Sequence, residues 1–220
     1  MAEIVKLYHG SKGGLEGPIR LDRGNRFCDF GRGFYMGVGD DQPKTLICSA
    51  RNDKRAMFYE VELNLDGLNV TRFESGLEWL MFVAYCRGFV REIANAGLLA
   101  HFEKIRAGSD VIFGKIADDR VYTAIQAFFR GEIHYQCCYD CLGAFNLGDQ
   151  YAAVTGRACD AIAVVSEKEI TGGGYEHFRS LAEANAKAAD RRTREIVTSW
   201  RHRDGEFIDE IAARLAKEIL

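Results

Sequence analysis

The chain has 220 residues, of which 47% are hydrophobic and 28% are charged, a composition typical of a folded globular protein rather than a disordered or fibrous one. The formal net charge of −3 provides no general attraction to nucleic acid, so any contact with RNA or DNA would need a local basic patch. The N-terminus lacks a signal-peptide pattern and no apolar run reaches the length of a membrane span, so we expect a cytoplasmic protein that does not enter the membrane.

Clustered or alternating apolar residues predict strands at about 4–9, 33–37, 57–63, 111–116, 150–155 and 161–165. Helical patterns occur at about 43–52, 75–88, 90–106, 118–130 and 136–145. The helix near 118 has cap candidates in Asp118 or Asp119 and in Gly131 beyond its end. Short strands interrupted by a helical middle indicate an α+β fold. No Gly-x-Gly-x-x-Gly follows a strand and opens a helix, so the Rossmann fingerprint is missing.

The composition changes at the run Thr171-Gly172-Gly173-Gly174, beyond which helix-forming residues dominate. We therefore predict one domain over residues 1–170 and a C-terminal helical extension over 175–220. A last helix would carry an apolar stripe formed by Ile208, Ile211, Leu215 and Ile219. This stripe could pack on the core of the same chain, pair with a second copy or bind a partner protein, and we expect the first.

Seven cysteines, an odd number in a chain without a secretory signal, indicate reduced thiols rather than a disulfide framework. Cys138 and Cys141 form a Cys-x-x-Cys, with Cys137 adjacent and His134 upstream, and these side chains could supply zinc ligands. No second Cys-x-x-Cys or histidine pair completes the set, and the segment has a helical pattern. We therefore expect buried thiols and no metal.

Two short blocks carry the residues of greatest functional interest. The first reads Leu7-Tyr8-His9-Gly10-Ser11 and the second Gly31-Arg32-Gly33-Phe34-Tyr35-Met36-Gly37. A glycine beside the histidine lets a planar amide approach the backbone of an extended strand, and strand alternation would send Phe34 into the core and Tyr35 into a cleft. Each block alone is also typical of a strand end with a turn, or of a β-bulge with core aromatics.

Together, the two blocks resemble the NAD-binding core of the poly-ADP-ribose-polymerase-like branch of the ADP-ribosyltransferases. In that branch the histidine contacts a ribose hydroxyl, the glycine backbone contacts the nicotinamide amide and the tyrosine stacks on the nicotinamide ring. The resemblance implies an ADP-ribosyltransferase-like split β-sheet core with a helical insertion and a C-terminal helical tail. It also implies NAD as co-substrate, bound by His9, Gly10, Ser11, Gly33 and Tyr35.

A third block, Asp149 to Thr155, looks like the late strand on which that branch commonly carries a catalytic glutamate, and here Gln150 stands at its start. The resemblance therefore implies Gln150, Tyr35 and His9 as the catalytic set. A glutamine lacks the carboxylate charge, although its carbonyl can accept a hydrogen bond from a ribose hydroxyl. Asp149 or Asp119 could supply the missing charge. Gln150 could also be only a polar strand end.

Further marks are Trp79 within Glu78-Trp79-Leu80, the segment 109–119, and Asp149-Gln150. With these marks and the two opening blocks, the chain resembles a bacterial family placed among the ADP-ribosyltransferase-like folds. The resemblance covers roughly residues 5–168. Members of this family are often encoded beside small proteins in what look like toxin–antitoxin pairs.

The resemblance implies a mono-ADP-ribosyltransferase toxin that modifies a protein or nucleic acid acceptor and releases nicotinamide, with a small antitoxin as partner. Hydrolysis of NAD by water is possible within the same chemistry. The alternatives are an inactive scaffold of the same fold that binds a nucleotide or a partner protein, and a zinc-dependent hydrolase that uses His134 and the cysteines.

Overall fold

The computed structural model describes residues 3–48, 55–89, 96–117, 119–145 and 148–218, with only the backbone of 119–122 and 218. It is an α+β fold with one mixed sheet of seven strands, in the order β4-β5-β6-β2-β1-β3-β7. Strands β4 and β5 run parallel, and the other neighbours run antiparallel. The strands are β1 Ile4–Lys12, β2 Phe34–Gly37, β3 Ala56–Asn64, β4 Val70–Arg72, β5 Val111–Lys115, β6 Asp149–Ala153 and β7 Ile162–Glu169.

The described residues also contain eight α-helices. They are α1 Asp41–Ile47, α2 Leu77–Arg87, α3 Ala96–Gly108, α4 Asp119–Phe129, α5 Tyr135–Gly143, α6 Gly156–Asp160, α7 Gly172–Ser199 and α8 Ile208–Glu218. Within the described ranges, no helix has both the length and the apolar character needed to cross a membrane.

All six predicted strands are confirmed with small shifts at their ends, whereas β4 was not predicted because it has only three residues. The helices expected at 75–88, 118–130 and 136–145 are also present. Gly131 follows α4 with a positive φ of 69°, and its N–H donates to Phe128 O over 2.9 Å, as expected of a helix C-cap. Asp118, the side chain of Asp119, and the ends of two predicted helices at 49–52 and 90–95 lie outside the described residues.

The sheet separates two main apolar clusters, because side chains alternate between its faces. On one face, the helical layer packs on strand residues such as Ile112 and Ala152. The largest buried side chains of this cluster are Phe30, Trp79, Phe82, Phe102 and Phe128. On the opposite face, residues of β1, β2, β3, β5 and β6 pack with α6. Leu7, Met36, Val61 and Leu63 are almost fully buried there.

The C-terminal helices pack on the same core as the rest of the chain. Helix α7 begins at Gly172, three residues before the predicted start of the extension, and contacts α4, α5 and α1, while α8 contacts α3. Ile208 and Ile211 are buried, and they belong to the cluster of the helical layer. The expected packing of the apolar stripe on its own core is thus confirmed for these residues, and Ile219 lies outside the described residues.

Candidate functional site

The two blocks singled out in the sequence form β1 and β2, and these strands separate almost as soon as they meet. One residue pair joins them, Tyr8 with Gly37. On its other edge, β1 pairs with β3 over its whole length from Ile4 to Lys12, and on its other edge β2 pairs with β6 from Phe34 to Gly37. The ladder between β1 and β2 therefore stops next to His9. We call this place, bounded by residues 9–12 of β1 and 34–36 of β2, the β1–β2 junction.

His9 contacts both sides of the junction. Its Nδ1 lies 2.7 Å from the carbonyl oxygen of Tyr35, and its ring stacks on Phe34 with 4.1 Å between the ring centroids. Burial lowers the pKa of His9 to about 4, so the ring is neutral at pH 7. Because a carbonyl oxygen can only accept, Nδ1 carries the hydrogen. The Nε2 atom is therefore an acceptor.

Tyr35 packs its ring on the helical side of the sheet, where it stacks with Phe30 at 6.3 Å between centroids. Its hydroxyl donates to Gly31 O over 2.6 Å and accepts from Phe30 N over 2.9 Å. Burial and the nearby charge of Asp29 hold the pKa of Tyr35 well above its usual range. The hydroxyl therefore fixes the loop before β2 as a neutral group, and the ring is half-buried.

Gly10 is needed for the packing of α1. A Cβ atom at this position would lie 2.6 Å from Pro43 O and 2.8 Å from Ile47 Cγ2, both closer than real contacts allow. The glycine that the sequence suggests for an amide ligand thus also has a structural reason. Ser11 donates to Gly14 O over 2.9 Å and shapes the loop after β1. At Gly33 a Cβ atom would lie 3.0 Å from Ala153 O, so this glycine permits close packing against β6.

Gln150 lies on β6 opposite Gly37 and is buried, with 6% of its surface exposed. Its Nε2 donates to Asp29 Oδ2 over 2.7 Å and to Lys115 O over 3.3 Å. Asp29 Oδ2 also accepts from Ala117 N over 2.9 Å, and Asp29 Oδ1 accepts from Arg87 Nη2. Gln150 is therefore a member of a buried polar network formed with Asp29 and Arg87, and not an isolated polar strand end.

The register determines which of the predicted residues share a face. Tyr35 pairs with Ala152 and Gly37 with Gln150, so the side chains of Tyr35 and Gln150 lie on the same face of the sheet. His9 lies on the opposite face, where its ring contacts Phe34. The structure thus brings Tyr35 and Gln150 onto one side of the sheet, and it links His9 to them through the Tyr35 backbone.

Asp149, one of the two acidic residues suggested as substitutes for glutamate, does not add charge at Gln150. Asp149 precedes Gln150 on β6 and therefore points to the other face, where its Oδ1 pairs with Lys115 Nζ at 2.8 Å. The Asp119 side chain lies outside the described residues. The carboxylate that does touch Gln150 belongs to Asp29, which was not predicted.

Asp29 was missed because its sequence context is that of an ordinary loop. It stands between two glycine-containing stretches, and its partners Arg87, Ala117 and Gln150 are distant in sequence. The neighbouring Phe30 is fully buried, and Arg106 donates to Phe30 O over 3.1 Å. An aromatic residue at this point of the loop is the one local signal that the chain turns inward here.

The cysteine-rich helix α5 is a packed element of the core. Cys137, Cys138 and Cys141 are buried free thiols, and burial raises the pKa of Cys141 to about 12. His134 caps α5 by accepting from Cys137 N over 3.3 Å, and its ring packs edge-on against Trp200. In the part of the chain that the structure describes, no three His, Cys, Asp or Glu side chains are grouped to hold a metal ion.

Residues 5–164 match the model of a family described as a protein of unknown function, DUF3990. Because this match covers more than half of the chain, the chain belongs to that family. Comparison with curated proteins and with solved structures gave no match.

Proposed function

We propose that the chain is an NAD-dependent mono-ADP-ribosyltransferase with an ADP-ribosyltransferase-like fold. The observation that carries the proposal is the β1–β2 junction with a neutral His9, whose Nδ1 is held by Tyr35 O and whose Nε2 is left as an acceptor. A ribose hydroxyl is a donor of the right kind for Nε2.

The proposed reaction breaks the bond between ribose C1′ and the nicotinamide nitrogen. Nicotinamide leaves with the bonding electrons, and a nucleophile of the acceptor attacks C1′ and loses its proton. The ring of Tyr35 would stack on the nicotinamide on the helical side of the sheet, and the backbone of Gly10 would hold the nicotinamide amide. NAD would cross the β1–β2 junction, so that a ribose hydroxyl reaches His9 on the other face. Ser11 and Gly33 would shape the two ends of the pocket.

Gln150 would hold a second ribose hydroxyl through Oε1. A neutral dipole stabilises a developing positive charge less than a carboxylate does. The proposal therefore assigns catalysis mainly to the orientation of NAD by His9, Tyr35 and Gln150.

The pairing of Asp29 with Arg87 favours one second candidate, a scaffold of the same fold that binds NAD or a partner protein without turnover. This pairing neutralises the carboxylate that lies nearest to Gln150, so the site has no unpaired charge among the described residues that touch Gln150. Tight binding of NAD without release of nicotinamide is expected of the scaffold and not of the enzyme.

We further propose that the chain is a toxin that modifies a protein or nucleic acid acceptor and is inhibited by a small antitoxin protein. We place its action in the cytoplasm, because all seven cysteines are free thiols and a reducing compartment keeps them so. Growth arrest on expression, relieved by His9→Asn, is the cellular result that this proposal predicts.

The biochemical test uses NAD labelled in the adenylate and, separately, in nicotinamide. The purified chain is incubated with each NAD and with cell extract, and the measured quantities are released nicotinamide and label on macromolecules. The parent should release nicotinamide, and Gln150→Ala and Tyr35→Ala should lower the rate by about tenfold or more. Gln126→Ala, at a half-buried position on α4, is the matched control.

Release without labelled macromolecules would identify water as the acceptor. The proposal is refuted if the parent releases no nicotinamide and labels nothing, or if Gln150→Ala and Tyr35→Ala are indistinguishable from the parent.

A further inference from the structure

The loop between β1 and β2 sends one carboxylate into the protein interior. Asp29 is 6% exposed, and it accepts hydrogen bonds from three directions. Its Oδ1 accepts from Arg87 Nη2, and its Oδ2 accepts from Ala117 N and from Gln150 Nε2. Arg87 Nη2 also donates to Ala117 O over 2.9 Å, which fixes the guanidinium relative to the residues that follow β5.

These partners determine which way the amide of Gln150 faces. The two groups within reach of its inner atom, Asp29 Oδ2 and Lys115 O, are both acceptors, so this inner atom must be the Nε2 donor. Reversing the amide would set its oxygen against a carboxylate and a carbonyl. The carbonyl oxygen Oε1 therefore faces away from Asp29 and Lys115. Among the described residues, Oε1 is not one of the fully buried side-chain atoms that lack a hydrogen-bond partner, so it is not sealed in the interior.

We propose that Asp29 is a positioning residue that holds Gln150 with Oε1 directed outward as an acceptor for a ligand hydroxyl. The inference rests on the proposed function, because Oε1 would meet a ribose hydroxyl of NAD. Asp29 touches neither NAD nor the reacting atoms and acts through Gln150.

The inference also gives a reason for glutamine at position 150. A glutamate there would bring two carboxylates into contact, whereas the amide donates to Asp29 and still presents an acceptor outward. An asparagine at 29 could donate to a carboxylate at 150, but its Nδ2 would face the Ala117 N–H and the carboxylate would face Lys115 O. The two changes together should therefore restore only part of what each change alone loses.

The test compares the parent with Asp29→Asn, Gln150→Glu and the double variant that carries both changes. Nicotinamide release gives kcat and KM, and thermal melting shows whether each variant is folded. We expect each single variant to lose about tenfold or more in kcat at pH 7, and the double variant to recover part of that loss, to about threefold or more above either single variant. Asp22→Asn, an exposed residue of the same loop, is the matched control.

A pH profile separates positioning from a general loss of structure. The rate of Gln150→Glu, relative to the parent, should rise as the pH falls, because protonation of the new carboxyl restores a donor to Asp29. A double variant no better than the two single variants would overturn the proposal, as would an Asp29→Asn protein with parental kcat.

If the folded parent releases no nicotinamide, the proposed function is wrong, but the positioning of Gln150 by Asp29 can still be tested. The side-chain amide resonances of Gln150, followed by NMR, then decide the positioning role. The inference predicts that they move in Asp29→Asn and stay unchanged in Asp22→Asn. If they stay unchanged in Asp29→Asn, Asp29 does not position Gln150.

Discussion

The half-buried, neutral His9 predicts a specific dependence of stability on pH. Its pKa is lowered from 6.5 to about 4 in the folded protein, so between these values the unfolded chain binds a proton that the folded chain does not. Stability should therefore be fully present above pH 6.5 and should fall as the pH drops toward 4. At roughly 1.4 kcal/mol for each pH unit, the contribution is at most about 3.5 kcal/mol, and partial exposure of the ring lowers the expected value to about 1–2 kcal/mol.

The matched variant for this measurement is His9→Asn. An asparagine can offer an amide N–H to Tyr35 O in place of Nδ1, but it does not titrate. Urea unfolding of both proteins, followed by the fluorescence of the two tryptophans, gives the free energy of unfolding between pH 7 and 4.5. The difference between parent and variant isolates His9 from the other titrating groups, and His177→Asn on the exposed side of α7 should change nothing. A difference that stays constant with pH, or that favours the parent more at low pH, would refute the assigned state of His9.

The other predictions concern stability and are measured by urea unfolding. Gly10→Ala should lower the free energy of unfolding by about 1–3 kcal/mol, because its Cβ would meet α1. Gly39→Ala, at a position with open space, should lower it little. Equal losses would contradict the packing of α1 on β1. Tyr35→Phe should lose about 1–3 kcal/mol with its hydroxyl bonds while NAD affinity stays unchanged, and a loss of affinity would show that the hydroxyl itself contacts NAD. Ile211→Ala should lower the free energy of unfolding by about 2–5 kcal/mol, and Leu46→Ala, at an exposed position, by less than about 0.5 kcal/mol. A small effect at Ile211 would mean that α8 is not anchored on the core.

Local patterns in the sequence predicted most of the strands and helices, because the periodicity of apolar residues follows the element that contains them. The segment 57–63 alternates clearly and forms the central part of β3. The apolar stripe on α8 likewise predicted its packing on the core. Strand β4 was missed since three residues are too few to show a period.

The candidate site was only partly predictable, because its key contacts join distant parts of the chain. His9, Tyr35 and Gln150 were found through a resemblance that fixes residue types and order. Which face each side chain occupies depends on the register of β1, β2 and β6, and no local pattern encodes that register. Asp29 could not be recognised for the same reason, since a loop aspartate becomes a buried acceptor only when Arg87 and Gln150 are brought to it.

The central claim is that the β1–β2 junction is an NAD pocket, and titration calorimetry with NAD tests it most directly. The account predicts that the parent binds NAD and that His9→Asn, which removes the Nε2 acceptor, weakens binding by about tenfold, the equivalent of one hydrogen bond. His177→Asn should bind as the parent does. A folded parent that does not bind NAD, or a His9→Asn variant that binds it as tightly as the parent, would contradict the account.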